Sequence, residues 1–334
     1  MDVNRTTLQD PAGRATRSAI NDSPLDVAVI GAGQAGLSLA WHLARRGVRY
    51  LLIDSHNRIG ESWRRRYDSL RLFSPAQYDG LPGAPFPAVP DTYPGKDDVA
   101  DFLADYAARN AFPVLHGTTV TRLAGTRGAL ELHTARGVIR ARQVVVATGA
   151  CSQPFVPAMA KDLVGITQLH SADYRRPGDL PTGRVLVVGA ANSGLQIAAE
   201  LAFTHQVTIA VGTRPPAVPQ RIVGRDLFWW FDRLRLMNLG PDSVLAKRLR
   251  RRGDVVIGTS LQNVAAAGVE VKPRVVAAEA GAVRFADATL LRPDAVVWAT
   301  GYRPNVDWID IPGVTGADGR PRHVEGRSLA VPGL

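Results

Sequence analysis

The chain has 334 residues, 46% of them hydrophobic, which is enough to build two domains or one domain inserted in another. No apolar run approaches the roughly eighteen residues that a membrane span needs, and the single cysteine, Cys151, excludes an internal disulfide and a Cys-x-x-Cys redox pair. The formal net charge of +10 would suit a polyanionic partner, but arginine is spread along the whole chain.

The densest basic runs, Arg64-Arg65-Arg66 and Lys247-Arg248-Leu249-Arg250-Arg251-Arg252, carry no interleaved aromatics to stack on bases. They read as solvated or phosphate-facing charge rather than as a polynucleotide track. The bulk numbers thus predict a soluble, cytoplasmic protein with no nucleic-acid partner.

Residues 1–23 are polar and aperiodic and predict a disordered tail. From Leu25 the pattern alternates β and α. Val27 to Ile30 predicts a buried strand, Ala35 to Arg46 a helix ending at Gly47, and Tyr50 to Ile53 the next strand, together one βαβ unit. Ser74 to Gly95, rich in proline and glycine yet holding Tyr78, Phe86 and Tyr93, predicts a long ordered loop. Asp97 to Asn110 predicts an amphipathic helix, and Val114 to Ala147 short antiparallel strands closing on Val144-Val145-Val146. A second βαβ unit opens at Gly183, and Val283 to Val297 returns to strands.

Two glycine-rich turns follow strands and open helices. In the first, Gly31-Ala32-Gly33-Gln34-Ala35-Gly36, Gly31 suits the tight turn, Gly33 lets backbone approach a pyrophosphate, and Gly36 lets helix pack on strand. The helix mouth at Gln34 and Ala35 offers free N–H donors and a positive dipole end. Asp54, followed by Ser55, ends the next strand, where a carboxylate accepts from ribose hydroxyls.

The second turn, Gly189-Ala190-Ala191-Asn192-Ser193-Gly194, holds Ala191 in the middle glycine's place. After the strand Val207 to Val211 it presents Thr213-Arg214 where NAD binders carry an acid. A guanidinium there can fork onto a 2′-phosphate, which favours NADPH over NADH. Two such turns in strand-turn-helix context predict one dinucleotide handing electrons to another. The aromatic run Leu227-Phe228-Trp229-Trp230-Phe231 reads either as a buried helix face or as part of an apolar entrance.

Further strings add to these turns: Gly60-Glu61-Ser62-Trp63-Arg64, Tyr67-Asp68-Ser69-Leu70-Arg71-Leu72-Phe73-Ser74-Pro75, Leu81-Pro82-Gly83, Tyr93-Pro94, Ala147-Thr148-Gly149 and Ala299-Thr300-Gly301-Tyr302-Arg303-Pro304. With them, residues 25–334 resemble the flavin-containing monooxygenases, class B flavoprotein monooxygenases, and in particular their bacterial and YUCCA-like branch. The resemblance implies an α/β fold of two Rossmann-like dinucleotide-binding domains of the three-layer ββα type, with the NADP domain inserted in the FAD domain. On that reading residues 24–155 and 285–334 form the FAD domain and 156–284 the NADP domain.

It further implies that Gly31, Gly33, Gly36, Asp54, Trp63, Arg64 and Leu72 hold FAD, with Thr148 and Gly149 beside it, and that Thr300 and Gly301 also meet cofactor. The family fingerprint Phe-x-Gly-x-x-x-His-x-x-x-Tyr is matched in its later half by His170 and Tyr174, while Val164 and Ile166 stand at the places of its Phe and Gly. His170 and Tyr174 are therefore candidates for linker positioning or catalysis. The family pattern runs on beyond Val331-Pro332-Gly333-Leu334 into a strand and a helix that closes over the flavin. The expectation is of an uncovered sheet edge and weakened FAD retention.

The implied activity is NADPH-dependent insertion of one oxygen atom of O2 into a small amine, thioether, 2-oxo acid or ketone through a C4a-hydroperoxyflavin. A homodimer is compatible with it. Its rivals are a reductase or oxidase of the same fold that releases peroxide, a catalytically impaired FAD- or NADP-binding fragment, and a basic binder of nucleic acid or membrane surface.

Overall fold

The computed structural model describes residues 23–214, 216–236 and 255–334. The expected tail, apart from Ser23, and the basic run Lys247 to Arg252 lie outside the described residues. The described chain falls into two units, one built from residues up to 61, 101–149 and 304–334, the other from 62–100 and 150–303.

In the first unit, β1 (Leu25–Ile30), β2 (Tyr50–Ile53) and β3 (Val114–Leu115) run parallel, and β4 (Val120–Thr126), β5 (Ala129–Thr134) and β6 (Gly137–Val146) form an antiparallel meander. β6 is shared: its first half pairs with β5 and its second half runs parallel to β1, giving one sheet in the order β3-β2-β1-β6-β5-β4. The helix α1 (Gln34–Arg45) turns Gly36, Leu37 and Ala40 inward, the stripe that its 3.6-residue period predicts. Gly47, with φ +64°, ends it. The core gathers Ala28, Ile30, Leu51, Ile53, Leu130, Leu132 and Ile139. On the outer side of β6, Val144 N donates to Gly333 O at 2.8 Å, while Val145 and Val146 remain 37% and 38% exposed.

The helix after the long loop is α3 (Lys96–Arg109), preceded by a four-residue helix α2 (Glu61–Arg64). Asp98 takes the Gly95 N–H at 2.8 Å, and two acids in the first turn suit the positive end of α3.

In the second unit β7 (Thr167–His170), β8 (Arg184–Val188), β9 (Gln206–Val211), β11 (Glu270–Pro273) and β15 (Ala295–Trp298) form one wholly parallel sheet in the order β11-β9-β8-β15-β7. A short strand, β10 (Val256–Ile257), lies outside it, and β12 (Val275–Glu279), β13 (Ala282–Phe285) and β14 (Leu290–Leu291) make an antiparallel layer. The helix α4 (Asn192–Leu201) buries Gly194, Leu195, Ile197, Ala198 and Leu201, as a strand sequence buried on both faces requires of its cover. Each unit therefore repeats parallel sheet, helix and antiparallel layer, the two-domain α/β architecture that the sequence implied.

The division of the chain differs from the sequence reading at 62–100, 150–155 and 285–303, all of which were expected with the first unit. Ala295-Val296-Val297-Trp298 pairs with Val185 to Val188 and with Thr167 to His170, inside the second sheet. A fully buried apolar strand reads alike in either sheet, so only its pairing decides where it belongs.

Candidate functional sites in the two units

The first glycine turn is fixed by two different constraints, conformation and close packing. Gly31 sits at φ +108°, and a Cβ there would lie 2.4 Å from the Ala147 carbonyl oxygen. A Cβ on Gly36 would lie 2.0 Å from Gly31 O, so helix and turn pack backbone on backbone. Gly33 obeys neither constraint: its φ is −81°, and a Cβ would meet nothing within 4 Å. A glycine that neither conformation nor packing demands leaves open space at a helix mouth. There α1 has no side-chain cap and no acid in its first turn, and Gln34 and Ala35 are exposed. The N–H groups of the first turn have no carbonyl four residues back to meet. The arrangement fits an anion, and a dinucleotide diphosphate in particular.

Asp54 closes the turn from β2. Its Oδ2 accepts from Ala32 N at 2.8 Å, and its Oδ1 from His56 N at 2.8 Å with His56 Nδ1 at 3.0 Å. Each carboxylate oxygen keeps acceptor capacity for a ribose hydroxyl, and Ser55 is exposed beside it. Asp54→Ala is expected to cost about 1–3 kcal/mol in the flavin-free protein, since Ala32 N–H loses its partner. Urea unfolding without added FAD checks this, and an unchanged midpoint would remove the structural half of the Asp54 role.

The second unit repeats the device almost distance for distance. Gly189, at φ +115°, would bring a Cβ within 2.3 Å of Ala299 O, and Gly194 within 2.0 Å of Gly189 O. The residues that abut both turns, Ala147 and Ala299, are the first members of the two Ala-Thr-Gly strings. Ala147 N donates to Ile30 O at 2.8 Å and Ala299 N to Val188 O at 2.9 Å. Sequence reasoning singled out the Thr-Gly residues and missed these alanines; the signal lay in the strand register. Thr148 and Gly149 are exposed at the end of β6, and Thr300 bonds the Phe155 carbonyl.

Ala191 takes φ −83° and ψ −176°, close to the −81° and −168° of Gly33. Its methyl therefore costs the turn no strain and occupies the space that Gly33 leaves open. Asn192 faces β10: its amide donates to Val255 O at 3.3 Å and accepts from Ile257 N at 3.2 Å. Ser193 and Gln196 meet the Tyr67 hydroxyl, whose pKa burial pushes up to about 12. Thr213 and Arg214 lie exposed just past β9.

His170 is 4% exposed. Its Nε2 lies 3.0 Å from Gly301 O and its Nδ1 accepts from Ala172 N at 3.0 Å, a set that fixes the neutral tautomer with the proton on Nε2. Burial lowers its pKa, outweighing the Gly301 carbonyl that would raise it. Tyr174 is wholly buried and donates to Glu200 Oε2 at 2.9 Å; burial and that carboxylate raise its pKa. Both side chains are buried, and the Nε2 contact ties the end of β7 to the second Ala-Thr-Gly string.

Trp63 and Arg64 are half-buried in α2, where the Arg64 carbonyl meets Lys96 Nζ at 3.5 Å; Leu72 N donates to Pro94 O at 2.9 Å. The aromatic run forms α5 (Leu227–Arg233), in which Leu227 is buried and the four aromatics are half-buried. Phe228 stacks on Phe73 with centroids 6.1 Å apart, and Leu227 is 4% exposed. Asp226 caps this helix through Phe228 N at 2.8 Å and also takes Tyr93 Oη at 2.7 Å and Gln220 Nε2 at 2.8 Å. This buried carboxylate was not singled out by sequence reasoning.

Among the described residues no helix is long and apolar enough to cross a membrane. Residues 28–221 match the family model described as pyridine nucleotide-disulphide oxidoreductase. The chain is 38% identical over 304 residues to an uncharacterized oxidoreductase CzcO-like of Geobacillus kaustophilus, covering 90% of this chain and 87% of that one. It is 29% identical to indole-3-pyruvate monooxygenase YUCCA1 of Oryza sativa subsp. japonica, covering 84% and 78%. A solved flavin-containing monooxygenase from Stenotrophomonas maltophilia superposes with a TM-score of 0.78 at 31% identity, covering 93% of this chain and 89% of that one. By fold, paired glycine turns and these matches, the chain belongs to the pyridine nucleotide-disulphide oxidoreductase family and, within it, to the flavin-containing monooxygenases.

Proposed function

We propose that the first unit holds FAD, that the second holds NADPH, and that the protein inserts one oxygen atom of O2 into a small organic substrate: an amine, a thioether, a 2-oxo acid or a ketone. The observation that carries this reading is the repeated glycine turn without a dithiol. Two dinucleotide cradles are present, yet the chain's one cysteine, Cys151, cannot relay electrons to a disulfide. When bound, reduced FAD supplies the activation of O2.

The chain's own residues do the holding. Gly31 makes the tight turn, its N–H spent on Ile53 O at 2.7 Å, so that Gly33, Gln34, Ala35 and Gly36 present main-chain donors to the FAD diphosphate, and Asp54, with Ser55 beside it, accepts from the adenosine ribose. In the second unit Gly189 makes the turn, its N–H held by Ala210 O at 3.0 Å, Ser193 and Gly194 take the same part toward NADPH, and Asn192 steadies the turn through β10. Trp63, Arg64, Leu72, Thr148, Gly149, Thr300 and Gly301 complete the proposed binding set. His170 and Tyr174 orient the backbone that carries it. The names of the relatives, monooxygenases among them, support an oxygenase over a reductase. The reaction is assigned to the cytoplasm, where NADPH is supplied.

Arg214→Ala is expected to raise the apparent KM for NADPH about tenfold and to leave that for NADH nearly unchanged, because only NADPH presents a 2′-phosphate to the guanidinium. Equal effects on both coenzymes would remove Arg214 from the site. The activity itself is tested by NADPH oxidation under labelled O2 with candidate amines, thioethers, 2-oxo acids and ketones. Label recovered in product supports the oxygenase; label recovered only as hydrogen peroxide makes the protein an oxidase of the same fold.

A further inference from the structure

We infer that Arg274 is a second arm of the site that tells NADPH from NADH, acting from a different strand than Arg214 on the same 2′-phosphate. The inference rests on reading the second unit as the NADPH site. It adds a residue that no glycine-turn motif points to.

The register of the parallel sheet brings Arg274 there. β9 and β11 are neighbours, with Val211 opposite Pro273 at their carboxyl ends. The next residue on each strand, Gly212 and Arg274, therefore leaves the sheet beside the other, at the carboxyl edge where open α/β sheets take their ligands. Gly212 has no side chain, and the Arg274 guanidinium lies over it: a Cβ at 212 would stand 3.3 Å from Nε, 3.7 Å from Nη2 and 3.9 Å from Cζ. Thr213 and Arg214 follow at once. The Arg274 backbone is anchored, its carbonyl accepting from Ala286 N at 2.9 Å.

Charge suits the position to an anion. Arg274 and Arg214 are both exposed, and neither guanidinium has a hydrogen-bond or ion-pair partner among the described residues. Some other surface arginines find acids, as Arg122 does with Asp310, Arg142 with Asp26 and Arg284 with Glu279. The nearest basic residue on β11, Lys272, is engaged by Glu270 at 3.3 Å. Two unmatched guanidinia on adjacent turns repel each other unless an anion lies with them. A phosphate monoester, carrying about −1.5 to −2 charges and three acceptor oxygens, meets both forks. The ribose hydroxyl of NADH brings no charge to offset either.

The test is calorimetry on the full-length, FAD-loaded protein with adenosine 2′,5′-bisphosphate and 5′-AMP as probes, each variant first shown to melt as the parent does. The parent should bind the bisphosphate at least tenfold tighter than AMP. Arg274→Gln should weaken the bisphosphate about tenfold and leave AMP unchanged. Arg274→Lys, which keeps the charge and loses the fork, should fall between; it also serves if the glutamine variant does not fold.

Unchanged bisphosphate binding in Arg274→Gln, with a tenfold loss in Arg214→Gln, overturns the role of Arg274 and leaves the NADPH reading standing. Equal weakening of both probes also overturns it, by assigning Arg274 to the adenine or to the fold. A parent protein that does not distinguish the probes overturns the NADPH reading itself.

Discussion

Gly36→Ala will destabilise the first unit by about 3 kcal/mol or more, although alanine is the better helix former by about 1 kcal/mol. The added methyl would stand 2.0 Å from the Gly31 carbonyl oxygen and 3.1 Å from its carbon, backbone that cannot swing aside as the end of a side chain can. Gly33→Ala is the matching control. No protein atom lies within 4 Å of its Cβ, and its φ of −81° suits any residue, so the flavin-free protein should unfold within about 0.5 kcal/mol of the parent. Its FAD affinity, however, should fall at least tenfold, because the methyl enters the space that main-chain donors face. Denaturant unfolding of both flavin-free variants and flavin titration of Gly33→Ala separate the two effects. A Gly33→Ala protein that retains FAD would show the open space to be incidental.

Replacing His170 has the second large effect. Without the ring, the Ala172 N–H loses its partner and the Gly301 carbonyl keeps only the Phe155 N–H, at about 2 kcal/mol together for His170→Ala. The same geometry sets a pH dependence. A proton added at Nδ1 would face the Ala172 N–H, and burial already lowers the pKa from its ordinary 6.5. The unfolded chain therefore takes up this proton near pH 6.5 while the folded chain takes it up only below that. The stability due to neutral His170 is complete above about pH 6.5 and is lost as pH falls toward the lower folded-state value. Unfolding at pH 7.5 and 5.5 should show the parent losing more stability on acidification than His170→Gln. Equal losses would mean that His170 does not carry this proton linkage.

Both predictions concern residues that the sequence singles out, yet their reasons differ in origin. Gly36 follows from a motif: the spacing of glycines after a β-branched run already states that helix and strand approach closely. For His170 the motif gives only a position. That its two nitrogens are spent on Gly301 and Ala172 follows from the pairing of β7 with β15, which no local pattern encodes. The same holds for Lys96, 8% exposed among Arg64 O, Asp97 and Asp68, and for Asp226 beneath Tyr93 and Gln220. Charged side chains read from sequence as solvated, and only packing shows which of them are enclosed and matched.

What the chain's order of residues determined by itself was the repeated strand-turn-helix, the places of the glycines, the acid at Asp54 and its replacement by Thr213-Arg214. These are local matters, set by backbone conformation and by periodicities of two and 3.6 residues. Tertiary structure alone decided that Ala147 and Ala299 press on the two turns, that residues 295–298 join the second sheet, and that Arg274 comes to lie over Gly212. Strand register sets all three, and register is a choice among distant partners that each strand's own sequence leaves open.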